Sequence, residues 1–169
     1  MICVEEKSVR LDVTPGTEMS LSGTVKANLA EASAAVIREV EGWEQRQWVA
    51  TCEVHREPSN ALNLAFHVAS RSRRVVRAIS EQSGSRVDVA KVHADAMPAP
   101  EQPTQVIAAL KEARNEALTF VATLDDASIE RLRAAEIDGE PDALMATCGL
   151  IGHWTFHLPA IQQIRRVSV

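Results

Sequence analysis

The chain has 169 residues, 46% hydrophobic and 24% charged, a balance that suits one globular domain with a real core and excludes a disordered polymer. A formal net charge of −5 without any lysine/arginine tract excludes a nucleic-acid surface, and no apolar run is long enough to span a membrane. Aromatics at 4%, with no tyrosine, leave aliphatic and alanine packing to fill the interior, which fits packed helices better than an aromatic-rich sandwich.

Residues 1–19 read as an N-terminal arm, with alternation over 8–13 before the turn signal Pro15-Gly16. Ser20 or Ser22 then caps a helix running to about Glu44. Its Leu21, Val25, Leu29, Ala32, Val36, Val40 and Trp43 recur at steps of three and four and form one stripe. Residues 48–54 alternate like a short strand. Glu57-Pro58-Ser59 reads as a helix start capped by Ser59, and the second helix is expected over 60–81 with Leu62, Phe66, Ala69, Val76 and Ile79 inward. Gly84 breaks that pattern. Residues 86–92 alternate again, so the three short alternating segments are expected to pair into a small edge sheet.

Residues 97–103 form a proline-rich connection, long enough to cross a bundle from end to end. A third helix is expected over 104–124, with Val106, Leu110, Ala113, Ala117, Phe120, Val121 and Leu124 inward. A short helical excursion follows over 125–135, and Asp138-Gly139 is a turn. Pro141 suits the first turn of a last helix over 142–166, which is apolar nearly all round and therefore expected to be the most buried. Residues 20–169 thus read as an all-α, four-helix bundle, and the long second-to-third connection favours something other than a simple up-down order.

Cys3, Cys52 and Cys148 are odd in number and form no CxxC pair, so neither a disulfide framework nor a zinc knuckle is indicated. The N-terminus lacks a basic region followed by an apolar run, and a reduced, cytoplasmic protein is expected.

The chemistry concentrates in Gly152-His-Trp-Thr-Phe-His-Leu-Pro159. His153 and His157, four positions apart, share one helix face, where two imidazoles can hold one divalent ion. The spacing alone also fits two hydrogen-bonded core histidines. His67, mid-helix on a second segment, moves the balance toward a metal, because bundle sites draw inward side chains from facing helices. Asn63, one turn from His67, is a candidate to orient its ring. Arg71 and Arg74 are candidates to receive an anionic substrate group, against the plainer reading that they sit in water opposite first-helix glutamates. His55 and His93 lie in connections and read as surface residues, and Cys148 as core. Pro159 removes the hydrogen bond to the Thr155 carbonyl and is expected to kink the helix beside His157, widening a pocket.

The segments Asn63-Leu-Ala-Phe-His67-Val-Ala and Gly152-His153-Trp-Thr-Phe-His157-Leu-Pro-Ala-Ile161, with Trp48 ahead of the first, resemble the DinB/YfiT-like superfamily over about residues 20–168. The resemblance implies an up-up-down-down four-helix bundle, often dimeric, whose His67, His153 and His157 hold zinc or nickel. It departs from the family pattern where Arg71 replaces an acidic residue, where Leu-Pro-Ala follows His157, and in a long, strand-like 48–58 connection. Characterised relatives include thiol-dependent transferases and isomerases, such as mycothiol-dependent maleylpyruvate isomerase and bacillithiol transferase. The function expected here is thiol-dependent transferase or isomerase chemistry on a small electrophile, hydrolysis being less supported because no carboxylate is evidently placed as a base. The other reading is a non-catalytic, metal-stabilised bundle that binds a small molecule or serves a stress response. Arginine outnumbers lysine 14 to 4, the bias of a GC-rich genome, which admits mycothiol as the thiol.

Overall fold

A computed structural model describes residues 20–54, 57–81, 100–128, 136–137, 140–141 and 143–167. The expected arm over 1–19, the strand over 86–92, His55 and His93 lie outside these residues. The chain is mostly helical. Its elements are α1 (Leu21–Glu41), α2 (Gln45–Trp48), β1 (Thr51–Val54), β2 (Glu57–Asn60), α3 (Ala61–Glu81), α4 (Pro103–Ala122), β3 (Glu136–Ile137), β4 (Glu140–Pro141) and α5 (Ala143–Val167).

α1 begins where the sequence stops offering an alternative: the Ser20 hydroxyl accepts from the Gly23 N–H at 3.1 Å and satisfies one orphan donor of the first turn. Val25, Leu29, Ala32, Val36 and Val40 are buried along the anticipated stripe, joined by Ile37 and by Ser33, whose hydroxyl donates to the Leu29 carbonyl at 2.6 Å. The helix ends earlier than expected. Trp43 lies beyond it, edge-on to Trp48 with ring centroids 5.0 Å apart.

The one-turn α2 is closed by Gln47, whose side-chain oxygen accepts from the Glu44 N–H at 2.6 Å while its amide donates to the Arg165 carbonyl at 3.2 Å. That second bond ties the connection to the far end of α5.

β1 falls within the segment expected to be a strand, but its partner is β2, with Thr51 opposite Asn60 and Val54 opposite Glu57. Residues 57–59, read as a helix start, are therefore strand. The cap of α3 is Asn60 rather than Ser59: its Oδ1 accepts from the Asn63 N–H at 2.8 Å. Both residue types cap well, and pairing with β1 decides between them. α4 starts at Pro103, where a missing N–H costs nothing, and buries Val106, Leu110, Ala113, Ala117 and Val121. Leu124, just past its end, is also buried, whereas Phe120 is only partly so. Pro141 is not in the first turn of the last helix. It pairs with Glu136 in the short β3–β4 ribbon on either side of Asp138-Gly139, an edge position that also tolerates a missing donor.

The four long helices form a ring in which α1 packs on α4, α4 on α3, α3 on α5, and α5 on α1. Side-chain contacts give the directions. Ser22 meets Asp126 while Glu41 meets Lys111, so α1 and α4 run oppositely. Glu39 meets Arg165, so the ends of α1 and α5 coincide. Trp154 meets Ser72 as His157 meets His67, so α3 opposes α5. The order is up-down-down-up, in place of the up-up-down-down arrangement expected. α3 and α4 are parallel neighbours, with 21 residues between the end of one and the start of the other.

α5 is not the most buried helix over its described side chains. Leu150, Trp154, His157, Ile161 and Ile164 form a single buried stripe, while Gly152, Thr155, Phe156, Pro159 and Gln163 are exposed. Neighbours cover one side of it only. Pro159 stands about 200° around the helix from His157, and α5 continues past it to Val167. The carbonyl it leaves without a donor belongs to Thr155, an exposed residue. No helix among the described residues is long and apolar enough to cross a membrane.

Candidate metal centre

α3 and α5 bring three imidazoles together. His153 and His157 stand one turn apart on α5, and His67 meets both from α3, with ring centroids 4.8 Å and 5.1 Å away; the α5 pair are 4.6 Å apart. None of the three pairs stacks face to face, the interplanar angles being 63°, 84° and 77°. One ligand nitrogen from each residue lies within 4.8 Å of the other two. Tetrahedral coordination at about 2.0–2.1 Å places nitrogens about 3.3 Å apart, so closing on an ion would draw the set in by up to about 1.5 Å.

His157 is 5% exposed, and His67 and His153 are half-buried. The Nε2 atoms of His153 and His157 are sealed from solvent. The cluster is made of imidazoles alone among the described residues, a donor set that suits a divalent ion of borderline softness and leaves a coordination position open. Its rim is accessible along α5. A Cβ placed on Gly152 would meet nothing within 4 Å. Phe156, 74% exposed, stands edge-on to the His157 ring with centroids 5.0 Å apart.

Trp154, between the two histidines in sequence, holds their helix in place. It is fully buried and its indole N–H donates to the Ser72 hydroxyl of α3, also fully buried, at 3.3 Å. Neither residue is marked as part of the site by the histidine motif. The available signal is the step of four from Leu150 to Trp154, which continues through His157 to Ile161.

Asn63 and Arg71 lie one turn either side of His67, and Arg74 a turn further on, all half-buried. The Asn63 backbone N–H is engaged in the α3 cap. Burial pushes the Arg71 guanidinium below its ordinary pKa, and the nearby Arg74 charge lowers it further. Arg74 donates through Nε to the Ser70 carbonyl at 3.3 Å. Of the first-helix glutamates, Glu39 pairs with Arg165 and Glu41 with Lys111. Arg73 crosses between helices, bound to Glu112 and Glu116 of α4. The Cys148 side chain lies outside the described residues.

No protein-family model, curated protein or solved structure matches this chain.

Proposed function

We infer that His67, His153 and His157 hold one divalent metal ion, zinc or nickel, and that the chain is a DinB-like, metal-dependent enzyme. Its chemistry is thiol-dependent transfer or isomerisation on a small electrophile. The observation that carries this reading is the convergence of three imidazole nitrogens from two helices within 4.8 Å. The helix directions differ from those the resemblance implies, so kinship rests on the two histidine segments rather than on topology.

When bound, the ion supplies a Lewis acid with an open position, where a thiol loses its proton at neutral pH. The chain's own groups do the rest. Trp154 and Ser72 fix the register of α5 on α3 and keep the three rings convergent. Phe156 offers an exposed aromatic face beside His157 for the apolar part of an electrophile. Arg71 and Arg74, on the His67 face of α3, bring positive potential toward an anionic substrate group. A low-molecular-weight thiol such as mycothiol is the co-substrate, and the active form is a homodimer.

Elemental analysis of the purified, untagged chain by ICP mass spectrometry tests the centre. About one zinc or nickel per chain is expected, lost in His153→Ala with helicity retained. A His153→Ala protein that keeps full occupancy removes His153 from the ligand set, and no metal after reconstitution removes the centre. Thiol-dependent loss of an electrophile by the metal-loaded but not the metal-free protein separates an enzyme from a binding bundle.

A further inference from the structure

The α1–α4 seam lies across the ring from the histidines and has its own cavity, of about 420 Å³. Ile37 and Ala34 supply apolar lining; Arg38 and Glu41 come from α1, and Lys111, Arg114 and Asn115 from α4. The antiparallel packing of these helices puts one face of each on the same opening. Lys111 Nζ lies 2.7 Å from Glu41 Oε1, so that cation and that carboxylate largely neutralise each other. Two guanidiniums remain. Among the described residues no carboxylate pairs with Arg38 or Arg114, and the Arg114 Nε is buried without a hydrogen-bond partner.

A solvated surface arginine keeps its donors in water. Arg114 does not: its Nε–H has been withdrawn from solvent and given no acceptor, which costs free energy that an oxyanion recovers. A planar guanidinium offers paired N–H groups that match a phosphate or carboxylate bidentately. Guanidiniums from two helices, with the Asn115 amide beside them, present more donors than the two oxygens of a carboxylate accept well, and a phosphate has three. The volume falls within the range of small-molecule sites, so it holds an organic portion as well, with Ile37 and Ala34 to cover. The cavity carries two uncompensated positive charges on a chain whose net charge is −5.

We propose that the α1–α4 cavity is a binding site for a phosphate-bearing small molecule, held by Arg38 and Arg114 with Asn115. It is separate from the histidine cluster and does not depend on it.

Isothermal titration of the full chain with phenyl phosphate, inorganic phosphate and succinate tests this, with Arg114→Gln and Arg38→Gln as variants and Arg73→Gln, on the α3–α4 seam, as control. Phenyl phosphate is expected to bind saturably and more tightly than inorganic phosphate. Each site variant should weaken it by about tenfold or more, and the control by less than about twofold. Absence of saturable binding by either phosphate compound overturns the proposal. So does unchanged affinity in Arg114→Gln, or succinate binding as tightly as phenyl phosphate. If Arg114→Gln fails to give a folded circular-dichroism spectrum, Arg114→Lys keeps the charge and loses the Nε donor. It should bind more weakly than the parent, and equal affinity there also overturns the assignment.

Discussion

Trp154→Phe should destabilise the fold by about 2 kcal/mol, and the reasons can be separated. The substitution removes an indole N–H that donates to Ser72 at 3.3 Å, between two side chains with no exposure. That length is at the weak end for a hydrogen bond, so its net contribution is taken as about 0.5–1 kcal/mol. The smaller ring leaves a void of roughly 40 Å³, worth about 1 kcal/mol at about 24 cal/mol per Å³, before any lost transfer energy. For a chain of this length the sum lowers Tm by about 4–8 °C. Ser72→Ala in the same background isolates the bond, because the double variant leaves neither the indole donor nor the buried hydroxyl to satisfy. Thermal and urea melts of both single variants and the double variant should give a coupling of about 0.5–1 kcal/mol. Additivity within about 0.3 kcal/mol would refute the claim that this bond pins α5 to α3.

Chelation should lower the Tm of the metal-loaded protein by about 5–10 °C if free metal stood at about a hundred times its Kd. His153→Ala should show no such response in the same scan. Asn60→Ala should cost about 1 kcal/mol in a denaturant melt while Ser59→Ala stays near neutral, and the reverse ranking would mean that α3 is capped one residue earlier. Cys52 is half-buried and burial raises its thiol pKa. A raised folded-state value means that the contribution to stability is fully present below the unfolded thiol pKa and is lost as pH rises through the folded one. Urea midpoints of a Cys3→Ala/Cys148→Ala variant should therefore fall on the alkaline side, above about pH 8.5, more steeply than those of the same variant carrying Cys52→Ala. Parallel curves would refute it.

The stripes of α1 and α4 were legible because their aliphatic residues recur at helical steps with little on the opposite face to confuse them. The histidine cluster was legible for a related reason: two residues four apart on a helix have one relative placement, whatever the fold around them. What failed were positions where one residue type suits two environments. Pro141 fits a helix's first turn and an edge strand equally well, because both forgo a backbone donor. Ser59 and Asn60 are adjacent cap formers, and only the β1–β2 pairing chooses between them. The second strand was invisible because Pro58-Ser59 announces a helix more loudly than a strand. α5 misled through composition, since a count of apolar residues does not say that Phe156, Gly152 and Pro159 share the uncovered side. Linker length argued against a simple alternation, yet several orders satisfy it, and contacts such as Glu39–Arg165, Ser22–Asp126 and Trp154–Ser72 select one.

Those contacts also set the course of folding. Ser22 and Asp126 are 104 positions apart, Gln47 and Arg165 are 118, and Glu39 and Arg165 are 126. α1 pairs with the two helices that follow last, so its apolar stripe stays without its final partners until nearly the whole chain has been made. Closing loops of that span costs entropy before any contact repays it, and the transiently bare stripe is open to association with other chains. Although rich in helix, this protein should fold more slowly than a bundle whose successive helices are neighbours, and its late C-terminal helix completes the hydrophobic core and the histidine cluster in the same step.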